Sequence, residues 1–544
     1  MLRWTLGLSI SALAGALVFF LIYPLFVLSP HSYSWLLGGD QAIYFLGFNF
    51  FNHESWHWPL GLIQGYSYPE MTSLVFSDSS PLVSILLKLL PGQSIYQFHG
   101  IFILFCFMLQ GICGFRLLYH YSKSWTSSVL GAVFFVLLPS FLDRGYPGTR
   151  HYSLLPHFIL LSAIFYSFHP KLSRNLWIWT ALIGVALGFH FYLATLVGIF
   201  FIASQGKSFQ EYGFRLGYVV MAPVLLLLAY AYGYFSIPVG SSVAWGFGEF
   251  SMNLNSFLNP MDRSYFIKPL LMLQHQYEGF QYLGLGLLIL AGMCLRKESW
   301  RTLSPPQRLA LVFITFLSLS FNVSFFNWVL LPNISKALFF VVFFILLFRN
   351  GVAHWKSVLI AAALVAMIQL MGPSLRSSGR LFWAVEYVMI FLIFMRAPKP
   401  WVIVLLLALQ MVDISKEFTS FMAPAPIAQA AVPELPLAMI TKDSYDEIAL
   451  IGGTNSIPLA LKAVSEGKKI GPLGTARSDG GSVGKTQQQW IQEVQGLKPR
   501  PKVIYIVGNE AVWGSFQKTC EAKPEDCKAL TYGTEGQSHY LLLK

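Results

Sequence analysis

The chain has 544 residues, of which 55% are hydrophobic, 16% aromatic and only 11% charged, and its formal net charge is +12. A soluble protein carries about a quarter charged residues, so the composition excludes a multidomain soluble protein and indicates a chain that faces hydrocarbon. The positive charge does not indicate a nucleic-acid partner, because the sequence has no block of Lys and Arg and no basic patch interleaved with aromatic residues.

The charges divide the chain into two parts. Residues 1–414 contain 23 Lys and Arg and 12 Asp and Glu, whereas residues 415–544 contain 14 and 13. The first part is therefore predicted to be a transmembrane domain, and the second has the charge content of an ordinary soluble domain.

Apolar runs of about 15–25 residues, long enough to cross a bilayer as helices, recur up to residue 413. They predict a polytopic α-helical membrane protein with about 13 transmembrane helices. The predicted spans are roughly 5–29, 97–119, 126–142, 152–168, 175–190, 192–205, 214–236, 280–295, 309–331, 337–348, 357–373, 381–395 and 400–413. The first run is too long for the hydrophobic region of a signal peptide, so we interpret it as an uncleaved membrane anchor.

The Lys and Arg residues between the predicted spans define an orientation, since cytoplasmic loops carry the excess of positive charge. With the N-terminus in the cytoplasm, Lys123, Arg174 and Arg396 all lie in inner loops. The outer loops 30–96 and 237–279 are long and carry acidic residues. We therefore expect a multi-pass protein of a bacterial inner (cytoplasmic) membrane whose C-terminal region lies in the periplasm.

The region after the last predicted span has its own pattern. Residues 415–437 are predicted to be a Pro-rich linker, because the stretch APAPIAQAAVPELPL repeats Pro among small residues. Residues 438–544 are predicted to form a small extracytoplasmic α/β domain. Its predicted strands are 447–453, 501–508 and 538–544, and its predicted helices are 456–467 and 486–497. The Gly-Gly pair after the first strand lacks the spacing of a phosphate-binding loop, so we interpret it as a turn.

The five cysteines follow the same division. Cys106, Cys113 and Cys294 lie in predicted membrane helices, where they are interpreted as packing residues. Cys520 and Cys527 bracket a short polar loop outside the membrane, where they form either a disulfide or two free thiols. No Cys/His metal pattern occurs, so the sequence indicates no metal cofactor, although a divalent metal remains an alternative.

The first outer loop begins with an acidic residue after two glycines, Gly38-Gly39-Asp40. A carboxylate at the end of a membrane helix can act as a general base at the membrane surface. The alternative is a solvated helix cap. The same loop carries further acidic candidates for substrate binding, namely Glu54, Glu70 and Asp78.

Cations also occur on the predicted outer face. Arg144, Arg150 and His151 lie between the third and fourth spans, and Arg376 and Arg380 precede the twelfth. Arg suits phosphate because its guanidinium donates two hydrogen bonds in a fixed geometry. These residues are candidates for phosphate binding; the alternatives are anchoring to lipid headgroups or an ion pair such as Asp143–Arg144.

The second outer loop places Glu249, Tyr277 and Glu278 among aromatic and amide residues, a composition that suits carbohydrate. The alternative is an amphipathic helix that lies on the membrane. His190 and Tyr192 lie where the chain turns at the outer face and are a further candidate pair, although such a His is more often structural. The acidic residues inside or at the end of spans, Glu386 and Asp413, indicate salt bridges or a pocket.

Taken together, these features resemble the GT-C superfamily of integral-membrane glycosyltransferases. The shared features are Gly39-Asp40 after the first helix, a long first outer loop, many helices and a trailing outer α/β domain. More closely, the chain is similar to an uncharacterised bacterial membrane-protein family related to those enzymes. The segments that carry this resemblance are 78–92, which reads Asp78-Ser79-Ser80 followed by PLVSILLKLLPG, and GEFSMNLNSFLNP (248–260), QYEGFQYLGLG (276–286) and RSSGRLFWAVEY (376–387).

The resemblance implies transfer of a sugar from a polyprenyl phosphate or diphosphate to an acceptor on the outer face of the membrane. It makes Asp40 the general base, and Arg376 and Arg380 a clamp for the lipid phosphate, helped by Arg144, Arg150 or His151. Many relatives have a pair of acidic residues here, whereas Gln41 follows Asp40 in this chain. A second carboxylate would then have to come from Glu54, Glu70 or Asp78.

The implied partners are membrane lipid, a polyprenyl-linked sugar donor and an acceptor. The acceptor is a lipopolysaccharide, a wall glycan or a surface glycoprotein. Two other classes of function stay open at this point. A transporter or flippase of lipid-linked sugars would need polar residues along a path through the helices. A non-catalytic envelope assembly protein would not need Asp40.

Overall fold

The structure is a computed structural model. It describes residues 2–90, 94–145, 151–212, 215–236, 246, 248–320, 323–331, 375–396, 398–419, 445–451, 456–473, 480–495, 500–507, 512–514, 517–518, 521, 528–534 and 537–543. The predicted spans 337–348 and 357–373 and both Cys520 and Cys527 lie outside the described residues. Of the predicted linker 415–437, only residues 415–419 are described, and they form a short helix rather than a linker.

Helices dominate the chain up to residue 419. In chain order they are α1 Leu2–Ile22, α2 Gly39–His53, α3 Pro81–Lys88, α4 His99–Ser122, α5 Trp125–Val136, α6 Pro139–Gly145, α7 Phe158–Phe168, α8 Leu176–Leu187, α9 Phe191–Tyr212, α10 Leu216–Tyr232, α11 Leu285–Cys294, α12 Lys297–Arg301, α13 Pro305–Leu319, α14 Trp383–Phe394, α15 Pro400–Asp413 and α16 Ser415–Thr419. Short hairpins interrupt them at β1 Leu62–Ile63 with β2 Thr72–Ser73, and at β3 Val323–Phe325 with β4 Trp328–Leu331.

Several of these helices are apolar, which indicates membrane association. Among the described residues, α1 and α4 are long and apolar enough to cross a membrane by themselves, and α5 with α6 would form a third span with a bend of 48°. Other apolar helices, including α8, α10 and α15, have between 10 and 17 residues. Two or three spans are therefore clear by length and composition, and the remaining predicted spans stay predictions.

One predicted span is wrong in its second half. The run 309–331 was expected to be one helix, but α13 ends at Leu319, and Val323–Phe325 pairs with Trp328–Leu331 in an antiparallel hairpin. Ser320 and Phe326 have positive φ values of 54° and 51°, which a continuous right-handed helix does not allow. The hydrophobicity of this stretch therefore reflects a hairpin rather than the end of a span.

Buried polar side chains inside the helical region bond to one another. Gln110 donates to the hydroxyl of Tyr387 at 3.0 Å, and this hydroxyl lies 2.6 Å from Nδ1 of His157. Glu386 accepts a hydrogen bond from Ser140 at 2.5 Å. Among the described residues, Glu386 forms no salt bridge and does not line the cavity described below. Asp413 accepts from the Tyr282 hydroxyl at 2.7 Å.

Residues 445–543 contain a five-stranded sheet. Its strands are β5 Glu447–Ile451, β6 Lys469–Gly471, β7 Val503–Val507, β8 Lys528–Thr534 and β9 Gln537–Leu543, in the order β6-β5-β7-β9-β8. β5 is parallel to β6 and β7, and β9 is antiparallel to β7 and β8. Every residue of β5 and β7 is buried, as expected for parallel strands that are covered on both faces. The helices of this region are α17 Ser456–Glu466 and α18 Gly480–Gln495.

The first loop docks on the edge of this sheet. Tyr68 donates its backbone N–H to Ile470 at 2.9 Å, and Ile470 donates to Gly65 at 2.9 Å. The Ser67 hydroxyl donates to the carbonyl of Leu473 at 3.0 Å. These bonds cover the edge strand β6, whose backbone groups would otherwise be open. At Gly471 an added Cβ would lie 1.9 Å from the carbonyl oxygen of Tyr68, so only glycine allows this approach.

We expect Gly471→Ala to weaken this docking by about 1–3 kcal/mol, because the methyl group forces the two backbones apart. Cysteines placed at Glu70 and Thr486, whose side chains are 3.2 Å apart, should then be cross-linked less efficiently by a short bifunctional reagent. Gly514→Ala is the matched control, because no described atom lies within 4 Å of its Cβ position. Equal cross-linking in both variants would contradict the prediction.

Candidate functional site

The described residues enclose a cavity of about 670 Å³ with two chemically different ends. Its charged and polar end contains Asp78, His151, His190, Tyr192, Arg376 and Arg380. Its apolar wall comes from α8, α10 and the adjacent turns, with Ile183, Leu187, Phe189, Phe191, Ala222, Leu225, Leu226, Ala229 and Phe235 among the lining residues. This combination suits a molecule with an anionic head and a hydrocarbon tail.

Asp78 lies at the charged end on a constrained loop. Its φ is +51°, a left-handed conformation that non-glycine residues adopt uncommonly and that often marks functional sites. Ser79 holds the loop to α2 by donating to the carbonyl of Tyr44 at 2.9 Å. At Gly47, one turn further along α2, a Cβ would lie 2.5 Å from the Cβ of Ser77, so the loop rests directly on the helix backbone.

Two histidines flank the Asp78 carboxylate. Nδ1 of His151 lies 3.3 Å from one oxygen, and Nε2 of His190 lies 3.4 Å from the other. The backbone N–H of Tyr192 donates to Nδ1 of His190 at 3.2 Å, which favours the tautomer with the proton on Nε2, facing Asp78. Asp78 therefore accepts from both sides while its side chain is only 9% exposed.

Burial alone would raise the pKa of the Asp78 carboxyl, but the hydrogen bonds from His151 and His190 outweigh it and hold the pKa well below its usual range. For His190, burial lowers the pKa of the imidazole, and Arg380 adds to this effect while Asp78 opposes it. Asp78 is therefore ionised at neutral pH, and the neutral form of His190 is favoured.

Asp40 lies at the rim of the same site. It occupies the first turn of α2, where the helix dipole favours a negative charge, and its side chain is 51% exposed. One carboxylate oxygen lies 3.7 Å from Nε2 of His151. Tyr44, one helical turn further, places its hydroxyl against Nδ1 of the same ring. The residue predicted as a general base is thus exposed and adjacent to the cavity.

The two predicted phosphate ligands Arg376 and Arg380 both line the cavity, but their environments differ. Arg380 is buried and lies 2.9 Å from Glu278. Its guanidinium also lies over the ring of Tyr192, at 5.5 Å from the ring centre. Arg376 is half-buried and forms no ion pair with any described residue. The guanidinium of Arg376 is therefore the one best placed to bind an anion.

Arg380 begins a chain of six alternating charges. Arg380 pairs with Glu278, Glu278 lies 3.4 Å from Arg144, Arg144 contacts Asp143, Asp143 contacts Arg263, and Arg263 lies 3.2 Å from Glu417. We call these residues the ion-pair chain. Its three cations and three anions compensate one another, and Asp143 is fully buried. Arg144 is therefore a member of the ion-pair chain, and it is not among the described residues that line the cavity.

The structure separates other predicted site residues from the cavity. Glu54 accepts hydrogen bonds from the backbone of Gln64 and Gly65, which holds the first loop to the end of α2. Glu70 contacts Thr486 of the C-terminal region. Glu249 is exposed, and the ring of Tyr277 lies 5.7 Å from that of Phe250. Arg150 and the predicted pair Cys520–Cys527 lie outside the described residues.

The second outer loop is not an amphipathic helix in its described part. Its amide side chains hold the loop together: Asn253 donates to the carbonyl of Phe326 at 2.7 Å, and Asn259 donates to that of Leu270 at 3.0 Å. Asn253 and Gln276 also bond to each other at 2.9 Å. The hydrogen bonds of these buried amides are thus made within the protein. Glu278 is the residue of this loop that contacts the charged end of the cavity, through Arg380.

Sequence reasoning missed Tyr44, Arg263 and Glu417. Tyr44 follows Asp40 by four residues, so helical periodicity alone would have placed both on one face of α2. Arg263 and Glu417 had no such signal, because Arg263 pairs with Asp143 and Glu417 pairs with Arg263, and both pairs join residues that are distant in the sequence.

Fold and cavity thus define a mostly helical, apolar protein with a cavity that is charged at one end and apolar along its wall. The chain belongs to the family described as a domain of unknown function (DUF6311), whose model matches residues 12–415. No curated protein matches it. The match runs from the middle of α1 to the end of α15 and includes every residue of the charged end of the cavity, but it ends before the C-terminal sheet.

We expect Asp143→Asn to destabilise the protein by about 3–5 kcal/mol, because it removes the buried anion between Arg144 and Arg263 and leaves the ion-pair chain with three cations and two anions. The measurement is the denaturation midpoint of the purified protein in detergent. Glu298→Gln is the control, since the Glu298–Arg396 pair is 3.7 Å long with side chains 64% and 37% exposed. Its loss should cost about 0–1 kcal/mol. Similar midpoints for the two variants would contradict the role of the ion-pair chain.

Proposed function

We propose that this protein is a membrane glycosyltransferase of the GT-C type that moves a sugar from a polyprenyl-phosphate donor to an acceptor on the outer face of the inner membrane. The observation that carries the proposal is the cavity, in which an apolar wall leads to two arginines and two histidines. One of these histidines, His151, lies beside the exposed carboxylate of Asp40. A lipid-linked sugar has the same order of parts: a hydrocarbon tail, a phosphate and a sugar.

The donor would lie with its tail along α8 and α10, where Leu187, Leu225 and Ala229 line the cavity. Its phosphate would bind Arg376, with Arg380 as a second cation that Glu278 already orients. An Arg near a phosphate donates charge-assisted hydrogen bonds and stabilises the negative charge that grows on the leaving group.

In the proposed reaction, the oxygen of the acceptor attacks the anomeric carbon while Asp40 takes its proton. The bond between the anomeric carbon and the phosphate oxygen breaks, and its electron pair leaves with the lipid phosphate. One direct displacement inverts the anomeric centre. The exposure of Asp40 supports this role, because an acceptor has to reach the base from outside the cavity.

The proposed orientation has support from the site itself. The positive-inside rule assigns four segments to the outer side, namely 30–96, 143–151, 190–192 and 374–380. Residues from all four meet at one place, namely Asp78, His151, His190 and Arg380. The proposal therefore puts the active site on the outer face, together with the C-terminal α/β domain that docks on the first loop.

We expect Asp40→Asn to lower sugar transfer by about 10²–10⁴-fold, because an amide cannot take the acceptor's proton. The measurement is the sugar composition of surface glycans in a deletion strain that carries wild-type protein, Asp40→Asn or the control Glu249→Gln. Glu249 is an exposed acidic residue of the second outer loop, so its variant should restore the glycan. Restoration by Asp40→Asn at the wild-type level would refute the assignment of the base.

Arg376→Ala should weaken binding of undecaprenyl phosphate by about 10–100-fold, because a charge-assisted hydrogen bond contributes about 1.5–3 kcal/mol. Arg380→Ala should also weaken use of the donor more than use of the acceptor. Binding to purified protein in detergent is measured by native mass spectrometry, with undecaprenol as the control lipid that lacks the phosphate. If Arg376→Ala weakened both lipids equally, the phosphate clamp would be wrong.

A further inference from the structure

His151 lies between two carboxylates that differ sharply in exposure. Its Nε2 faces the rim, 3.7 Å from Asp40, and its Nδ1 faces inward, 3.3 Å from Asp78. The Asp40 side chain is 51% exposed and the Asp78 side chain 9%. An acceptor can therefore meet Asp40 from outside the cavity, whereas the nearly buried Asp78 contacts the other side of the His151 ring.

We infer that His151 and Asp78 form a proton relay behind Asp40, a role that rests on the proposed glycosyl transfer. Asp40 takes the proton of the acceptor and passes it to Nε2 of His151. The resulting imidazolium is stabilised by the Asp78 carboxylate at Nδ1. The proton leaves from His151 to water at the rim once the sugar has been transferred. In this assignment His151 is not a phosphate ligand, and Asp78 is a positioning residue that acts through it.

Several contacts prepare this arrangement. Asp78 is fixed by its loop, which Ser79 bonds to α2, and it accepts a second hydrogen bond from His190. A carboxylate that is ionised and already oriented stabilises a neighbouring imidazolium without reorganisation. Imidazole is also the side chain that most readily takes up and releases a proton near neutral pH.

The charged and titratable groups around His151 are compatible with the relay. From α2 they are Asp40 and the Tyr44 hydroxyl, which contacts Nδ1. From the other elements they are Asp78, His190, Arg376 and Arg380. The two guanidinium groups line the same cavity, and Arg380 is paired with Glu278. The nearest opposite charges for a protonated His151 are thus the two carboxylates that it bridges.

The test separates a relay from a phosphate ligand. Purified variants are added to membranes of the deletion strain, which supply donor and acceptor, and transfer is followed for the sugar that the deletion removes from the surface glycan. Binding of undecaprenyl phosphate is measured on the same preparations. We expect His151→Gln to lower turnover about 10²-fold or more while undecaprenyl phosphate binds as tightly as to the wild type. Added imidazole should partly restore turnover in His151→Ala.

Asp78→Asn should lower turnover and also move the acidic limb of the pH–rate profile to lower pH. Without the opposite charge 3.3 Å from Nδ1, the imidazolium that forms on His151 during the relay is less stable. The double variant Asp78→Asn/His151→Gln should turn over no more slowly than His151→Gln alone, because the effects of substituting residues that act as one unit are not additive. If Asp78→Asn does not fold, Tyr44→Phe replaces it in the test, because this variant removes only the hydroxyl that contacts Nδ1 of His151. A shift of the acidic limb of the pH–rate profile of Tyr44→Phe supports the relay.

The control is His53→Gln, a histidine at the other end of α2 whose Nδ1 lies 2.7 Å from the carbonyl of Asn49. Its turnover and profile should match the wild type. Parallel loss of turnover and of undecaprenyl phosphate binding in His151→Gln would overturn the relay and leave glycosyl transfer intact. An unchanged pH profile in the Asp78 and Tyr44 variants would overturn it as well. Absence of transfer by the wild-type protein would instead refute the proposed function and the relay together.

Discussion

Compensation of buried charge is the constraint on which the rest of the structure depends. Charged groups are costly to remove from water unless they are paired, and Asp143, Arg144 and Arg380 are almost fully buried. The ion-pair chain solves this by bringing together parts that are far apart in the sequence. It connects α6, the second outer loop, the segment before α14 and the short helix α16. A change in the position of any one of these parts would break at least one of the contacts between buried charges.

The two arginines that line the cavity therefore differ in whether they have an ionic partner. Arg380 is held by Glu278, so its position is defined before any ligand arrives. Arg376 lines the same cavity without an ionic partner among the described residues. An oriented Arg380 and an Arg376 without such an ionic partner together suit an anionic head group, because little reorganisation of the side chains is needed on binding. The apolar wall that continues from this point is suited to a hydrocarbon chain.

The segment 54–80, which follows α2, has two structural roles that both involve this helix. One end of the loop carries Asp78, and Gly47 lets that part rest on the helix that bears Asp40. Its middle part, Gly65–Tyr68, extends the edge strand β6 of the C-terminal sheet. The helix that bears Asp40 at the rim of the cavity is therefore also followed by Glu54, which holds the part of the loop that contacts the C-terminal sheet. In the family of unknown function to which the chain belongs, the match includes this loop and ends before the sheet.

The sequence by itself determined the class of protein and many of the elements, because those depend on local patterns. Apolar runs identified α1 and α4, and the alternation of apolar strands with amphipathic helices identified β5, β7 and α17. The Gly39-Asp40 pair indicated a candidate site at the end of the first helix, but the structure shows that α1 ends at Ile22 and that Asp40 lies in the first turn of a separate helix, α2. The hairpin at 323–331 shows the limit of this reasoning, since hydrophobicity records burial but not backbone conformation. Only the tertiary structure decided which of the predicted polar residues belong together. Asp78, His151, His190 and Arg380 converge although up to 302 residues separate them, whereas Glu54 and Glu70 are used to hold loops. The physical reason is that a polar residue in a loop can satisfy its hydrogen bonds in many ways, and its partner is set by packing between distant elements.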